Sequence, residues 1–242
     1  MKEEYCDDMI IKLLLLQVSA HLVADYILQP QKWSDRKEGR IISHFHVYHS
    51  LIVGILSYGL SLDLHFWKAS IALMILHLLL DIMKSWLILR KYRPWFFFLD
   101  QFLHLISITA VVWIYSSSVG IDFWLDLELN RIAIFTGFIF CSKPSNVIIK
   151  HILSLYNIPA REAEKDRIGD SSLPNAGKLI GITERFMALI FILVDQYAAV
   201  GLIIAAKSIL RINSRERSEY VLIGTLMSFG LALITGVLIR LI

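Results

Sequence analysis

Long apolar runs separated by short polar segments dominate the chain. Read with a helical period, they predict helices at residues 9–29, 45–61, 66–89, 95–116, 131–153, 178–205 and 220–242. Each run approaches or exceeds the ~20 residues a helix needs to cross a hydrocarbon layer. Pro30 ends the first, Pro94 separates the third from the fourth, and Pro144 breaks the fifth, because proline lacks the N–H that a helix interior requires. Trp33, Trp67, Trp86, Trp95 and Trp124 fall near the proposed ends, where amphipathic rings favour the membrane interface. The opening segment, MKEEYCDDM, has no positive region of the signal-peptide kind, so the first helix is expected to be a permanent span. The expected fold is all-α: a polytopic transmembrane bundle of about seven spans forming one integral membrane domain over 1–242. A His/Asp-rich four-helix half occupies 1–116, and the remaining helices occupy 117–242.

The polar residues inside the apolar runs have a pattern of their own. Residues four apart share a helix face, so His21 projects with Asp25, His77 with Asp81, and Asp100 with His104, while Lys84 lies one turn beyond Asp81. The second helix opens with His44, His46 and His49, the last two on one face. At ~1.5 Å of rise per residue, Asp25, His49, Asp81 and Asp100 fall at similar depths from the ends of their own helices, and His21, His77 and His104 about a turn deeper. All seven therefore occupy a layer near one membrane face. The motif His-Leu-x-x-Asp recurs at 21–25 and 77–81, which predicts that the first and third helices run the same way.

Composition and charge narrow the class. The chain is 56% hydrophobic with a mean hydropathy of +0.61, more apolar than a soluble core can use. The net charge of +3 comes from loop cations rather than one basic face, which argues against nucleic acid as a partner and for the lipid bilayer. Arg36 and Lys37, Lys91 and Arg93, and Lys165 and Arg167 mark three loops as cytoplasmic by the positive-inside bias. Residues 207–217, with Lys207, Arg211, Arg215 and Arg217, conflict with this scheme because counting spans puts them outside, where snorkelling is the simplest account of Lys207 and Arg211. Cys6 and Cys141 form neither a disulfide framework nor a metal knuckle.

Energy decides whether such a layer can be incidental. Asp25, Asp81, Lys84, Asp100, Glu184 and Arg185 are ionisable groups inside apolar runs. At ~2.5–3.5 kcal/mol each they would cost on the order of 15–20 kcal/mol if unpaired, more than the ~5–15 kcal/mol that holds an ordinary fold. They must be paired, hydrated or bound to a cation. Neutral imidazoles and carboxylates suit zinc, or manganese or iron, so His21, Asp25, His49, His77, Asp81, Asp100 and His104 are the candidate metal ligands. His49 can instead be a general base, and Lys84 can stabilise an anion. Glu184 and Arg185 lie at similar depth in the sixth helix and join the catalytic candidates, Arg185 either as a binder of phosphate or carboxylate or as the partner of a nearby acid.

The stretches H-L-V-A-D-Y-I-L-Q, H-V-Y-H-S-L, H-L-L-L-D-I-M-K and L-D-Q-F-L-H, then G-K-L-I-G-I-T-E-R-F, A-A-K-S-I-L-R and Y-V-L-I-G-T-L-M-S, resemble a bacterial membrane family catalogued as domain of unknown function 3307 over nearly the whole chain. That resemblance implies an integral protein of the bacterial inner membrane and carries no activity. More loosely, the H-x-x-x-D helices are similar to inner-membrane metal-dependent hydrolases. The expected function is a metal-dependent hydrolase with its site near the cytoplasmic leaflet and a lipid or small anionic substrate such as a lipid phosphate. The alternatives are a metal-ion or proton transporter using the same site, and a membrane scaffold or sensor.

Overall fold

The computed structural model describes residues 2–30, 33, 41–90, 94–156, 158, 176–211 and 218–242. The first apolar run folds as α1, Lys2–Leu22, and its last turn widens into a π-helix, Val23–Leu28. Ser43 caps α2, His44–Ser61, by accepting from Phe45 N, while its own N–H donates to His46 Nδ1. His46 thus takes the place usually filled by Glu or Gln in a capping box. Leu62, in the left-handed region at φ 54°, ends α2. A short 3-10 turn, Leu64–Phe66, leads into α3, Trp67–Arg90, and α4 follows at Phe96–Ser118.

These four helices form a ring in which α1 touches α2 and α4, and α3 touches α2 and α4. Their hydrogen bonds set the directions. Gln17 and Asp25 of α1 meet Ser57 and His49 of α2, and His46 and His49 meet Ser85 and His77 of α3. Lys84 and His77 of α3 likewise meet Asp100 and His104 of α4, so each neighbour is antiparallel and α1 and α3 run the same way, as the repeated motif predicts.

The bundle is polar inside and apolar outside. Buried Ser, His and Asp side chains line its axis, while Ile55, Phe102 and Trp113 are each at least 60% exposed. That distribution suits lipid rather than water as the surrounding solvent. At the end away from the His/Asp layer, Leu13, Phe66, Ala69, Leu73, Ile108 and Val112 fill the axis. A strap over that end is pinned by Asp63, which accepts from Tyr115 Oη at 2.7 Å and Asp122 N at 3.1 Å, and by Trp124 N donating to Leu62 O.

Residues 1–136 form one compact unit and residues 137–242 a second, with α5, Leu129–Cys141, beginning in the first and ending in the second. The chain bends by 48° at Ser142 before α6, Lys143–Leu155. Pro144 cannot donate to the preceding turn, and the carbonyls freed there find other donors. Ser145 Oγ donates to Phe140 O, and the buried Arg185 donates to Cys141 O at 2.7 Å and Ser142 O at 3.2 Å.

The expected span 178–205 is instead two helices, α7 at Ala176–Leu193 and α8 at Tyr197–Arg211. The turn between them carries Asp195 at φ 60°, held by Arg240 near the end of α9, Ser218–Leu241. Lys207 of α8 pairs with Glu184, midway along α7, so α8 folds back along α7. An ion pair thus takes the place of snorkelling at Lys207, and residues 212–217 lie outside the described residues. The Arg211 side chain and most of the loop cations, among them Arg36, Arg93 and Arg167, lie outside the described residues.

The number of spans is lower than the seven expected. Among the described residues four helices are long and apolar enough to cross a membrane, at Asp7–Leu28, Leu64–Leu89, Phe96–Ser118 and Leu222–Leu241, or up to five with the bent α5–α6 pair. Three histidines dilute the apolar character of α2, Lys178, Glu184 and Arg185 that of α7, and α8 is short.

Candidate metal centre

The ring of antiparallel helices explains the order of the motif residues. α1 and α3 run the same way and carry His-x-x-x-Asp, whereas α4 runs against them and carries Asp100-x-x-x-His104, which keeps each carboxylate on the same side of its imidazole along the axis. The seven candidate ligands come together. Ring centroids of His77 lie 5.7 Å from His21, 4.9 Å from His49 and 4.3 Å from His104, and His21 stacks on His104 at 5.1 Å. Burial of these four rings is nearly complete.

Asp25 Oδ1 stands among three imidazole nitrogens, at 3.2 Å from His49 Nε2 and 3.6 Å from both His77 Nε2 and His21 Nδ1, and the two Nε2 atoms are 3.0 Å apart. Two ligand atoms each ~2.0–2.1 Å from a tetrahedral zinc would lie ~3.4 Å apart, so these separations suit such an ion. The π-helical turn places Asp25 here and carries Tyr26 into the same network. π-helical turns are uncommon and frequently occur at functional sites.

The hydrogen bonds around the cluster commit the imidazoles. A carboxylate only accepts, so Gln101 turns its amide N–H to Asp100 Oδ2 at 3.1 Å and its carbonyl to Tyr26 Oη at 2.8 Å and His21 Nε2 at 3.3 Å. His21 therefore donates from Nε2, leaving the lone pair of Nδ1 facing Asp25. His104 donates from Nδ1 to Asp100 O at 2.8 Å, leaving Nε2 as a lone pair. His21 Nδ1, His104 Nε2 and His49 Nδ1 are buried without a hydrogen-bond partner. A buried polar atom left unsatisfied costs ~1–3 kcal/mol, and lone pairs facing carboxylate oxygen call for a cation or proton between them. A backbone carbonyl or amide holding the far ring nitrogen is also how metal-binding imidazoles are oriented.

Three sets of residues bring their ligand atoms within 4.8 Å of one another and could hold an ion: His21 with Asp25 and His77, His49 with His77 and Asp81, and Asp81 with Asp100 and His104. Lys84 donates to Asp100 Oδ2 at 2.9 Å, and its side chain, 27% exposed, is the most open of the group. A cavity of ≈ 20 Å³, enough for about one water, is lined by His21, His77 and His104 together with Gln17, Ser57 and Leu73.

Glu184 and Arg185 belong to the second unit. Glu184 accepts from Lys207, and Arg185 donates to Cys141 O, Ser142 O, Asn146 Oδ1 and Ser228 Oγ. These contacts occupy both side chains without any substrate. Conversely, the motif spacing passes over Gln17 and Gln101, polar residues in apolar runs that a helical-face count from His21 and His104 flags, and Tyr26, which only the π-helical turn brings to the cluster.

Fold and site together define an integral membrane helical protein whose first unit holds a buried His/Asp cluster able to accept a metal ion. Residues 11–127, which include the whole cluster, match the family model described as "Protein of unknown function (DUF3307)". The match ends before the second-half motifs, so it is shorter than the resemblance over nearly the whole chain. No curated protein and no solved structure matches the chain.

Proposed function

We propose that this protein is a metal-dependent hydrolase embedded in the membrane, with a divalent ion, zinc before manganese or iron, held among His21, Asp25, His49, His77, Asp81, Asp100 and His104. The observation that carries the reading is the convergence of three imidazole nitrogens on Asp25 Oδ1, with buried ring nitrogens left unsatisfied beside them. A divalent ion in such a site lowers the pKa of a bound water towards ~7 and so supplies a nucleophile. The chain's own residues supply the rest. His49 serves either as a further ligand or, with its Nε2–H on Asp25, as the general base, and the Lys84 ammonium at the open end attracts an anionic headgroup. Burial around the imidazoles excludes bulk water.

The apolar cluster beyond Gln17 and Ser57 supports hydrolysis over transport. A conduit needs polar access from both faces, whereas Leu13, Phe66, Leu73, Ile108 and Val112 close the axis beyond Gln17 and Ser57. The substrate is a lipid-borne anion, for example a lipid phosphate, reaching the site from the leaflet beside Lys84. Assignment to the inner membrane of a bacterium, with the site towards the cytoplasm, is part of the same proposal.

Metal analysis of the detergent-purified full chain, beside His21→Ala and His77→Ala shown to be folded, tests the reading. Bound zinc, manganese or iron that is lost in the variants, with turnover of phosphate or carboxylate ester vesicles that stops on chelation, is the expected result. A folded wild type that takes up no metal on reconstitution would sink the metal centre. A metal-replete protein inert on phosphate, ester and amide substrates would leave the centre and remove the hydrolase.

A further inference from the structure

We propose that the cluster is two adjacent and unlike cation sites, one rich in nitrogen and one rich in oxygen, and that the pair recognises a phosphoester. This inference rests on the metal reading above and goes beyond it in ion number, ion type and substrate class. Of the three ligand sets, His21–Asp25–His77 and Asp81–Asp100–His104 share no residue, and the third, His49–His77–Asp81, takes one member from each and so joins them. Each disjoint set has its own buried lone pair, committed from outside by a different bond. Gln101 fixes Nδ1 of His21 as the free nitrogen of the first, and the Asp100 carbonyl fixes Nε2 of His104 as that of the second. His77 Nε2 and Asp81 Oδ2, one from each set, are 3.8 Å apart, so the two sites would be neighbours.

The donors differ in kind. Around Asp25 the first site gathers His21, His77 and, at 3.2 Å, His49, a nitrogen-rich set suited to zinc. Two carboxylates and one imidazole make up the second, a set suited to manganese or magnesium. Charge links the ion count to the substrate. Three carboxylates and the Lys84 ammonium leave the cluster two charges negative. One divalent ion neutralises it, whereas two make it two charges positive, and a positive, water-poor site selects an anion. Two divalent ions held ~3.5–4 Å apart would stabilise in-line displacement at phosphorus. The reaction balances without another reactant: a water oxygen bonds to phosphorus, the bond from phosphorus to the alcohol oxygen breaks, and a proton from the water ends on the alcohol.

The test is the number of ions bound by the full chain in detergent, titrated with Zn²⁺ and then Mn²⁺, with inorganic phosphate added as the anion probe. Two equivalents are expected, zinc held first and manganese second. Mn²⁺ resonance spectra of the two-ion form should broaden when phosphate is added, and spectra of Mn²⁺ free in the same buffer and detergent should not show the same change. Asp100→Asn and His104→Gln should each lose the second equivalent and keep the first. One equivalent in wild type, lost equally in His21→Ala and Asp100→Asn, would overturn the two-site arrangement and leave the metal centre standing. No equivalents in folded protein would overturn both. Two equivalents without any phosphate effect would overturn the substrate class.

Discussion

Two buried polar regions of this protein look alike in sequence and differ in structure. In the second unit Arg185 is almost fully buried, yet its guanidinium donates to Cys141 O, Ser142 O, Asn146 and Ser228. In the first unit four imidazoles and three carboxylates are packed as tightly, and three ring nitrogens have no partner. The first arrangement is closed on itself and is explained by the bend at Ser142, whose carbonyls it satisfies. The second is open towards something the chain does not supply. Depth and burial alone do not separate a structural polar residue from a ligand, whereas hydrogen-bond satisfaction does.

Substitutions can break this contrast from either side. The largest effect expected is on metal binding: His77→Ala removes a donor common to two ligand sets and should weaken zinc at least about a thousandfold, ~4 kcal/mol, in a competition titration. Unfolding of the metal-free variant in the same detergent should change little, because an unsatisfied cluster holds the fold less than it holds an ion. Equal losses of fold and metal would make the cluster structural, like Arg185. Next in size is Arg185→Met, which strands two carbonyls at the bend and should cost ~3 kcal/mol of stability, read by thermal or denaturant unfolding, with metal affinity unchanged. A smaller effect sharpens the comparison. Gln101→Leu removes the group that holds His21 in one tautomer and should weaken metal about 10–100-fold while the fold is retained, and Gln101→Glu should recover part of the loss.

The site was legible because a helix imposes a four-residue face and a fixed rise. His21 with Asp25, His77 with Asp81 and Asp100 with His104 could therefore be paired and levelled before any tertiary contact was known. The α7–α8 turn was not legible, since Val194-Asp195-Gln196 carries only two polar residues and barely lowers the hydropathy of the window around it. Nor was the role of Arg185, which depends on carbonyls more than forty residues away in the chain. Tyr26 was hidden for a different reason: an α-helical count turns it away from Asp25, and the π-helical turn Val23–Leu28 brings both into the cluster.

By itself the sequence determined the solvent, the helical class and the membership of the His/Asp layer, because each follows from local hydropathy and a short-range period. Tertiary structure alone decided which nitrogens are left without partners, that the axis is closed at one end by Leu13, Phe66 and Val112, and that α8 turns back along α7. Those properties depend on which distant groups meet, and a hydrogen bond or a packed plug has no signature in the spacing of either partner alone.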